Sequence, residues 1–130
     1  MKNFLSANDL VDSLQTGGAL HSSGRFTVDL ASAAPKLRQY QLSDPFEYVL
    51  KLVQSGVAAG ASSLWLSSSA TSVDFVMKGV SFPFEGLVNL LAYLLCEPGG
   101  ELERSLRHLA TAVNAAVGTR AEEICLDCWD

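Results

Sequence analysis

Residues 44–66 read DPFEYVLKLVQSGVAAGASSLWL and predict a helix over about residues 45–59 that is followed directly by a strand. Asp44 can cap this helix, and Pro45 suits its first position. Apolar side chains then recur at the spacing of one helix face: Phe46, Val49, Leu50, Val53 and Val57. A glycine suits the helix end, and residues 62–67 have the composition of a strand.

A second unit of helix, glycine and strand lies near the C-terminus. Residues 101–117 carry an apolar stripe at helical spacing, Gly118 suits the helix end, and residues 122–129 are predicted to form a final strand. Between the two units, residues 72–76 are predicted to pair with residues 62–67 as a hairpin. The repeated unit predicts an α+β fold, a two-layer α/β sandwich with a mixed or mainly antiparallel sheet. We expect both helices to lie side by side on one face of that sheet.

Four other segments have weaker or more ambiguous patterns. Residues 6–14 predict a short helix, and the alternation in residues 25–30 predicts a half-buried strand. Residues 31–42 predict a short helix or a turn. Residues 83–96 predict one continuous helix that is apolar on most of its sides.

Length and composition favour one domain, residues 1–130, and exclude a disordered chain. The 130 residues are 48% hydrophobic and 18% charged, with 9 Lys+Arg against 14 Asp+Glu and a net charge of −5. Because no cluster of basic residues stands out, we expect no binding to nucleic acid or to an anionic membrane through charge. The chain stops within the predicted final strand, so either the sheet ends there or this is the N-terminal domain of a longer protein.

The sequence features that indicate cellular location favour the cytoplasm. The first residues contain no apolar core of signal-peptide length. The longest apolar stretch, residues 87–96, has about half the length needed to cross a bilayer. Three cysteines, an odd number, argue against a complete framework of disulfides.

The sequence KLVQSGVAAGA at residues 51–61 is similar to the N-box helix of the GHKL ATPases, a superfamily that includes gyrase B, MutL, the ninety-kilodalton heat-shock chaperones and the sensor histidine kinases. The helix of that superfamily reads roughly Glu-Leu-Val-x-Asn-Ser-x-Asp-Ala-Gly-Ala and is followed by a strand, as residues 63–66 follow here. The resemblance covers about residues 25–82 and implies a GHKL-like fold.

The same resemblance implies that the ATPase chemistry of the superfamily has been lost. Lys51 stands where the superfamily has its general-base glutamate, and Ser55 where it has its magnesium-binding asparagine. Met77 stands where an aspartate reads adenine, and Gly79 and Ser81 occupy the glycine positions that follow. A lysine repels magnesium, and a methionine cannot accept the hydrogen bond from the adenine amino group. We therefore expect no catalytic residue, no bound metal and no cofactor at this degenerate nucleotide site.

Three other polar features have simpler structural interpretations than functional ones. Cys125 and Cys128 have the CxxC spacing, but on a strand they would point to opposite faces, so we expect ordinary buried or half-buried cysteines. His108 is expected to be a solvated histidine on the polar side of its helix. Asn114 is expected to hydrogen bond between a helix and the sheet.

The leucines of residues 83–96 cannot all face one core, because together they cover most of the circumference of a helix. They are Leu87, Leu90, Leu91, Leu94 and Leu95. We expect the segment to lie at a contact with a second copy of the chain, as a homodimer, or with a partner protein. A helix lodged between the sheet and a neighbouring helix is the alternative that needs no partner.

Two functions follow from these features. The first is a noncatalytic GHKL ATPase-like module that acts as an interaction or regulatory domain. The second is a small-molecule or nucleotide-binding domain with a remodelled pocket between the helix of residues 45–59 and the sheet.

Overall fold

The computed structural model of the chain describes residues 29–129, which combine helices with one antiparallel pair of strands. In chain order the elements are α1 (Leu30–Tyr40), a first 3-10 helix (Pro45–Glu47), α2 (Tyr48–Ala58), β1 (Ser63–Ser68), β2 (Val73–Lys78), α3 (Phe84–Val88), a second 3-10 helix (Leu90–Leu94) and α4 (Glu101–Val117). The prediction of a mixed α and β fold is confirmed.

The first described helix begins at an aspartate cap. The carboxylate of Asp29 accepts hydrogen bonds from the backbone N–H of Ala31 at 3.1 Å and from the hydroxyl of Ser32 at 2.8 Å. Of the two structures predicted for residues 31–42, the helix is therefore the one that forms. The strand predicted for residues 25–30 is wrong at its last two positions, which form the cap and the first helical residue. The rest of that strand and the N-terminal helix predicted for residues 6–14 lie outside the described residues.

The start predicted for the second helix is confirmed. The carboxylate of Asp44 accepts a hydrogen bond from the backbone N–H of Phe46 at 2.9 Å, and Pro45 opens the first 3-10 helix, which continues into α2. After α2, Gly60 adopts a φ of +75° and donates its N–H to the carbonyl of Val57. A positive φ is the conformation that favours glycine at a helix end.

The predicted hairpin is also confirmed, with small shifts of its boundaries. Strands β1 and β2 pair antiparallel in a register that runs from Ser63 opposite Lys78 to Ser68 opposite Val73. In the turn, the hydroxyl of Ser69 accepts a hydrogen bond from the backbone N–H of Ser72 at 3.0 Å.

The prediction of one continuous helix over residues 83–96 is wrong. Helix α3 ends at Asn89, which leaves the helical region with φ −103° and ψ 28°, and the chain continues as the second 3-10 helix. The side-chain amide of Asn89 donates to the carbonyl of Glu85 at 3.1 Å. An asparagine that bonds to the backbone in this way competes with helical hydrogen bonds, which explains the break.

The hydrophobic core is centred on α4. This helix packs against α2, the second 3-10 helix and α1. The buried core residues are Ala34, Leu90, Leu94, Leu106, Leu109 and Ala110. Leu106 has 1% of its surface exposed, because leucines of the second 3-10 helix lie in the same cluster and Gly86 of α3 leaves it room.

Helices α2 and α4 lie side by side, as the sequence predicts, but in the described part of the chain they pack mainly on each other. The hairpin reaches them through two side chains. Met77 of β2 packs against the core cluster, and Leu64 of β1 contacts the helix at Gly56. The two-layer sandwich stays a prediction for the whole chain.

The prediction of a final strand at residues 122–129 is wrong. These residues have no regular structure, and Ile124, Leu126 and Trp129 are exposed. A strand needs a neighbour that accepts and donates its backbone hydrogen bonds. Among the described residues, β1 and β2 pair with each other and no third strand is present.

Candidate functional site

The residues that carry the GHKL resemblance lie at different depths in the structure. Lys51 is half-buried on α2, whereas Ser55, one turn further along the same helix, is completely buried. Met77 is half-buried on β2, and Ser81 is exposed after it. Lys51 lines a cleft between α2 and α4, which is described below. The other four positions do not line that cleft: Ser55, Met77, Gly79 and Ser81.

Ser55 is bound to a second buried serine on α4. Its hydroxyl donates to the backbone carbonyl of Ser105 at 2.9 Å, and the hydroxyl of Ser105 donates to the carbonyl of Ser55 at 2.8 Å. The two hydroxyl oxygens are 3.1 Å apart, and both residues have 0% exposure. This reciprocal pair, which we call the serine pair, lets the two helix backbones approach closely.

Leu64 brings α2 and the sheet together at Gly56. A side-chain carbon at Gly56 would collide with a terminal methyl of Leu64, so the helix and strand are in direct contact at this point. At this position there is no room for a ligand between α2 and β1.

Gly79 has a structural role at the base of the hairpin. Its φ is +75°, and a side-chain carbon there would stand 2.7 Å from the hydroxyl of Ser62. That serine in turn bonds through its N–H and its hydroxyl to the carbonyl of Lys78. The positive φ and the lack of space both explain why this position is a glycine, and neither depends on a bound nucleotide.

The segment of residues 83–96 divides its apolar side chains between the core and the solvent. Leu90 and Leu94 are buried in the core and Leu87 is half-buried, whereas Leu91 and Leu95 are exposed. Two further exposed apolar side chains precede them on α3, and with Leu91 and Leu95 they form what we call the 84–95 surface: Phe84, Val88, Leu91 and Leu95.

A cleft of about 350 Å³ lies between α2 and α4, close to the lower limit for small-molecule pockets. Four basic side chains line this cleft, which we call the cationic cleft: Lys51, Arg104, Arg107 and His108. Its other lining residues are Gln41, Pro98 and Thr111, which are uncharged. The cationic cleft therefore collects positive charge in a chain whose net charge is negative.

His108 is more enclosed than the sequence predicts. It is half-buried, and its pKa is lowered from the ordinary value of 6.5, first by burial and then by the positive charges of Lys51, Arg104 and Arg107. The expectation of a solvated histidine is therefore only partly met. Because both causes disfavour the imidazolium, the neutral ring is the favoured form in the folded protein.

Sequence reasoning missed the cationic cleft. Arg104 and Arg107 are three residues apart on α4 and so share a face, which is a signal that the sequence does contain. Lys51 is more than fifty positions away, and only the pairing of α2 with α4 brings it to the same place.

Asn114 connects helices rather than a helix and the sheet. Its amide donates to the carbonyl of Ala34 at 3.0 Å, and its side-chain oxygen accepts a hydrogen bond from Arg38 at 3.2 Å. Arg38 also donates to the backbone carbonyl of Asn114 at 2.8 Å. The residue is buried and fully engaged in joining α1 to α4.

Cys96, Cys125 and Cys128 are free and exposed, so the prediction of buried or half-buried cysteines is wrong for Cys125 and Cys128. The reason is that the segment after α4 does not join a sheet. The thiol of Cys125 donates to the carboxylate of Glu123 at 3.2 Å, and this hydrogen bond is the main cause of its raised pKa. Within residues 29–129, no three potential metal ligands of the His, Cys, Asp or Glu type cluster together.

Comparisons with family models, with curated proteins and with solved structures found no match for this chain. Within the described part of the chain, no helix has both the length and the apolar character needed to cross a membrane.

Proposed function

We propose that this chain is a noncatalytic interaction or regulatory module, similar in type to a GHKL ATPase domain, and that it forms a homodimer through the 84–95 surface. The proposal rests on one observation, which is that the apolar side chains of residues 83–96 are divided between the core and the solvent. Leu90 and Leu94 anchor it in the core, while Phe84 and Val88 are 80% and 64% exposed. The relationship to the GHKL ATPases rests on sequence similarity over about residues 25–82, chiefly on residues 51–61.

The 84–95 surface leaves four apolar side chains partly exposed to water. Covering a valine, leucine or phenylalanine side chain completely contributes about 1.5–3 kcal/mol. Four partly exposed side chains of this kind could contribute several kcal/mol, which is a large fraction of the 5–15 kcal/mol that stabilises a typical domain. A two-fold symmetric dimer brings the same patch of both copies together, so an apolar surface can be its own partner without charge complementarity.

The noncatalytic part of the proposal is supported by the positions that the superfamily uses for chemistry. The ammonium group of Lys51 would repel a magnesium ion. The hydroxyl of Ser55 is engaged with Ser105 in a buried helix contact, and Ser55 has 0% of its surface exposed. Met77 packs against the core through an apolar side chain.

The dimer is tested by light scattering of the purified chain over a range of concentrations. We expect a dimer, and we expect Val88→Glu to convert it to a monomer, because each copy would place a carboxylate in the apolar contact. Val57→Glu is the matched control, since Val57 is exposed to a similar extent, 68%, but lies on α2. A wild-type monomer at every concentration, or dissociation by Val57→Glu and not by Val88→Glu, would overturn the proposal.

The absence of ATPase function is tested separately by thermal unfolding with ATP, with and without magnesium. A ligand that binds the native state alone must raise the melting temperature. We expect magnesium to add nothing to any effect of ATP. A magnesium-dependent increase, or hydrolysis above the level of a Lys51→Ala control, would contradict a noncatalytic module.

A further inference from the structure

The cationic cleft brings together four basic side chains, of which Arg104 is paired with the carboxylate of Glu101. Three of the nine Lys and Arg residues line it together with His108, and no aspartate or glutamate is among its lining residues. The groups come from two helices, Lys51 from α2 and the other three from α4, so the packing of α2 on α4 holds them together.

Two of the basic side chains are held in place and retain unused donors. One terminal nitrogen of Arg107 donates to the carbonyl of Cys96 at 3.0 Å, and one of Arg104 pairs with Glu101 at 3.0 Å. A guanidinium has five N–H donors in a fixed fork, so each keeps donors for a ligand. Within residues 29–129, Lys51 forms no ion pair.

We propose that the cationic cleft binds a tetrahedral oxyanion of the phosphate type, either free or as the terminal group of a small phosphorylated molecule. Arginine forks match the oxygens of such an anion, and the lysine adds a compact positive charge. The 84–95 surface plays no part in the cationic cleft, so this inference is independent of the proposed dimer.

His108 reports the occupancy of the cleft. The charged and titratable groups that face it are Lys51 from α2 and Arg104 and Arg107 from its own helix. Gln41 and Pro98, from the remaining elements that line the cleft, carry no charge. A bound anion opposes the repulsion from the three cations, so it raises the pKa of His108. By linkage, the anion must then bind more tightly as the pH falls through that pKa.

The test is a titration of the purified chain with sodium sulfate at constant ionic strength, followed by the imidazole proton resonance of His108. Sulfate is a tetrahedral dianion whose charge stays constant between about pH 5.5 and 8, where histidine titrates. The chain has two histidines, and a His108→Gln variant assigns the resonance. We expect a saturable shift, a raised pKa at saturation, and the same shift with inorganic phosphate but not with acetate.

Two variants locate the site. Lys51→Gln and Arg107→Gln should each weaken sulfate binding about tenfold, the effect of losing one charge-assisted hydrogen bond. Lys36→Gln is the matched control, because it removes the same charge from an exposed position on α1 and should change the affinity by less than about twofold. Circular dichroism checks that each variant is folded, and Lys51→Gln leaves the contact of Arg107 with Cys96 intact.

Three results would overturn the inference. One is the lack of a saturable shift of the His108 resonance up to about 50 mM sulfate, well above the concentrations that specific sites need. Another is an equal loss of affinity in Lys36→Gln and Lys51→Gln, which would indicate diffuse attraction by the whole chain. The third is an equal shift with acetate, which would indicate a site without preference for tetrahedral anions.

Discussion

The serine pair offers the sharpest test of how closely α2 and α4 approach. Ser55 and Ser105 exchange hydrogen bonds through hydroxyl and carbonyl groups at 2.8–2.9 Å, in an interface with no solvent access. The perturbations are Ser55→Ala, Ser105→Ala and the double variant, which remove the hydroxyls but leave room at the crossing. A fourth variant, Ser55→Val, instead adds volume.

The expected magnitudes follow from the hydrogen bonds. Losing one buried hydrogen bond lowers the free energy of unfolding by about 1 kcal/mol, and the better helix propensity of alanine returns about 0.5 kcal/mol. Each single alanine variant should therefore lose about 0.5–1 kcal/mol. Both hydroxyl protons are donated to carbonyl groups, so the contact between the two oxygens holds no hydrogen bond of its own, and the double variant should lose the sum of the two single losses to within about 0.5 kcal/mol.

The valine variant should lose more than the alanine variant. It brings two methyl groups to a place where the partner helix presents its carbonyl and hydroxyl oxygens, and overpacking of this kind costs about 1–3 kcal/mol. Urea unfolding followed by the helical circular dichroism signal measures all four variants. Ser81→Ala, at an exposed position, is the control and should change stability by less than about 0.5 kcal/mol.

Two outcomes would refute the reasoning. If Ser55→Val is as stable as Ser55→Ala, the helices do not approach closely at this crossing. If the double variant departs from the sum of the single losses by more than about 1 kcal/mol, the two hydrogen bonds are not independent.

Two further predictions concern the core and a turn. Leu106→Ala should lower the free energy of unfolding by about 2–5 kcal/mol, because Leu106 is buried at the centre of the core. Leu102→Ala, on the exposed side of α4, is the control and should cost less than half as much. Equal losses in denaturant unfolding would contradict the position of the core. Gly60→Ala should cost about 1 kcal/mol through its positive φ alone, since no atom lies within 4 Å of the added carbon. The control is Gly100→Ala, because Gly100 is equally uncrowded but has an extended φ of −165°. This variant should have a neutral or slightly stabilising effect in thermal unfolding. A loss of stability equal to that of Gly60→Ala would show that backbone conformation is not the cause.

Most of the helices and the hairpin were predictable because their signals are local. Asp44 and Pro45 mark the start of the first 3-10 helix, which continues into α2, and the hairpin joins neighbouring segments. The errors occur where a local pattern depends on a distant partner or on a side chain that competes with the backbone. Residues 122–129 have the composition of a strand but no strand beside them, and Asn89 divides a segment whose leucines predict a continuous helix.

The candidate sites were less predictable, for a different reason. The positions that resemble the GHKL ATPases were located by local similarity, and the structure gives Ser55 and Gly79 structural roles that similarity cannot reveal. The cationic cleft depends on Lys51 meeting α4, which only the packing of the two helices establishes. Of the five leucines proposed for a partner surface, Leu91 and Leu95 are exposed, whereas Leu90 and Leu94 are buried in the core, which the sequence pattern of a single helix does not reveal.

The serine pair also constrains the order in which the chain can fold. Its two members are 50 residues apart in sequence, so the contact closes a long loop and carries a corresponding entropy cost. The hairpin inside that loop joins neighbours and can form within microseconds. An isolated 11-residue helix such as α2 is marginal in water, so α2 gains its stability when α4 docks on it. During synthesis, a ribosome must therefore release most of α4 before α2 can reach its full stability.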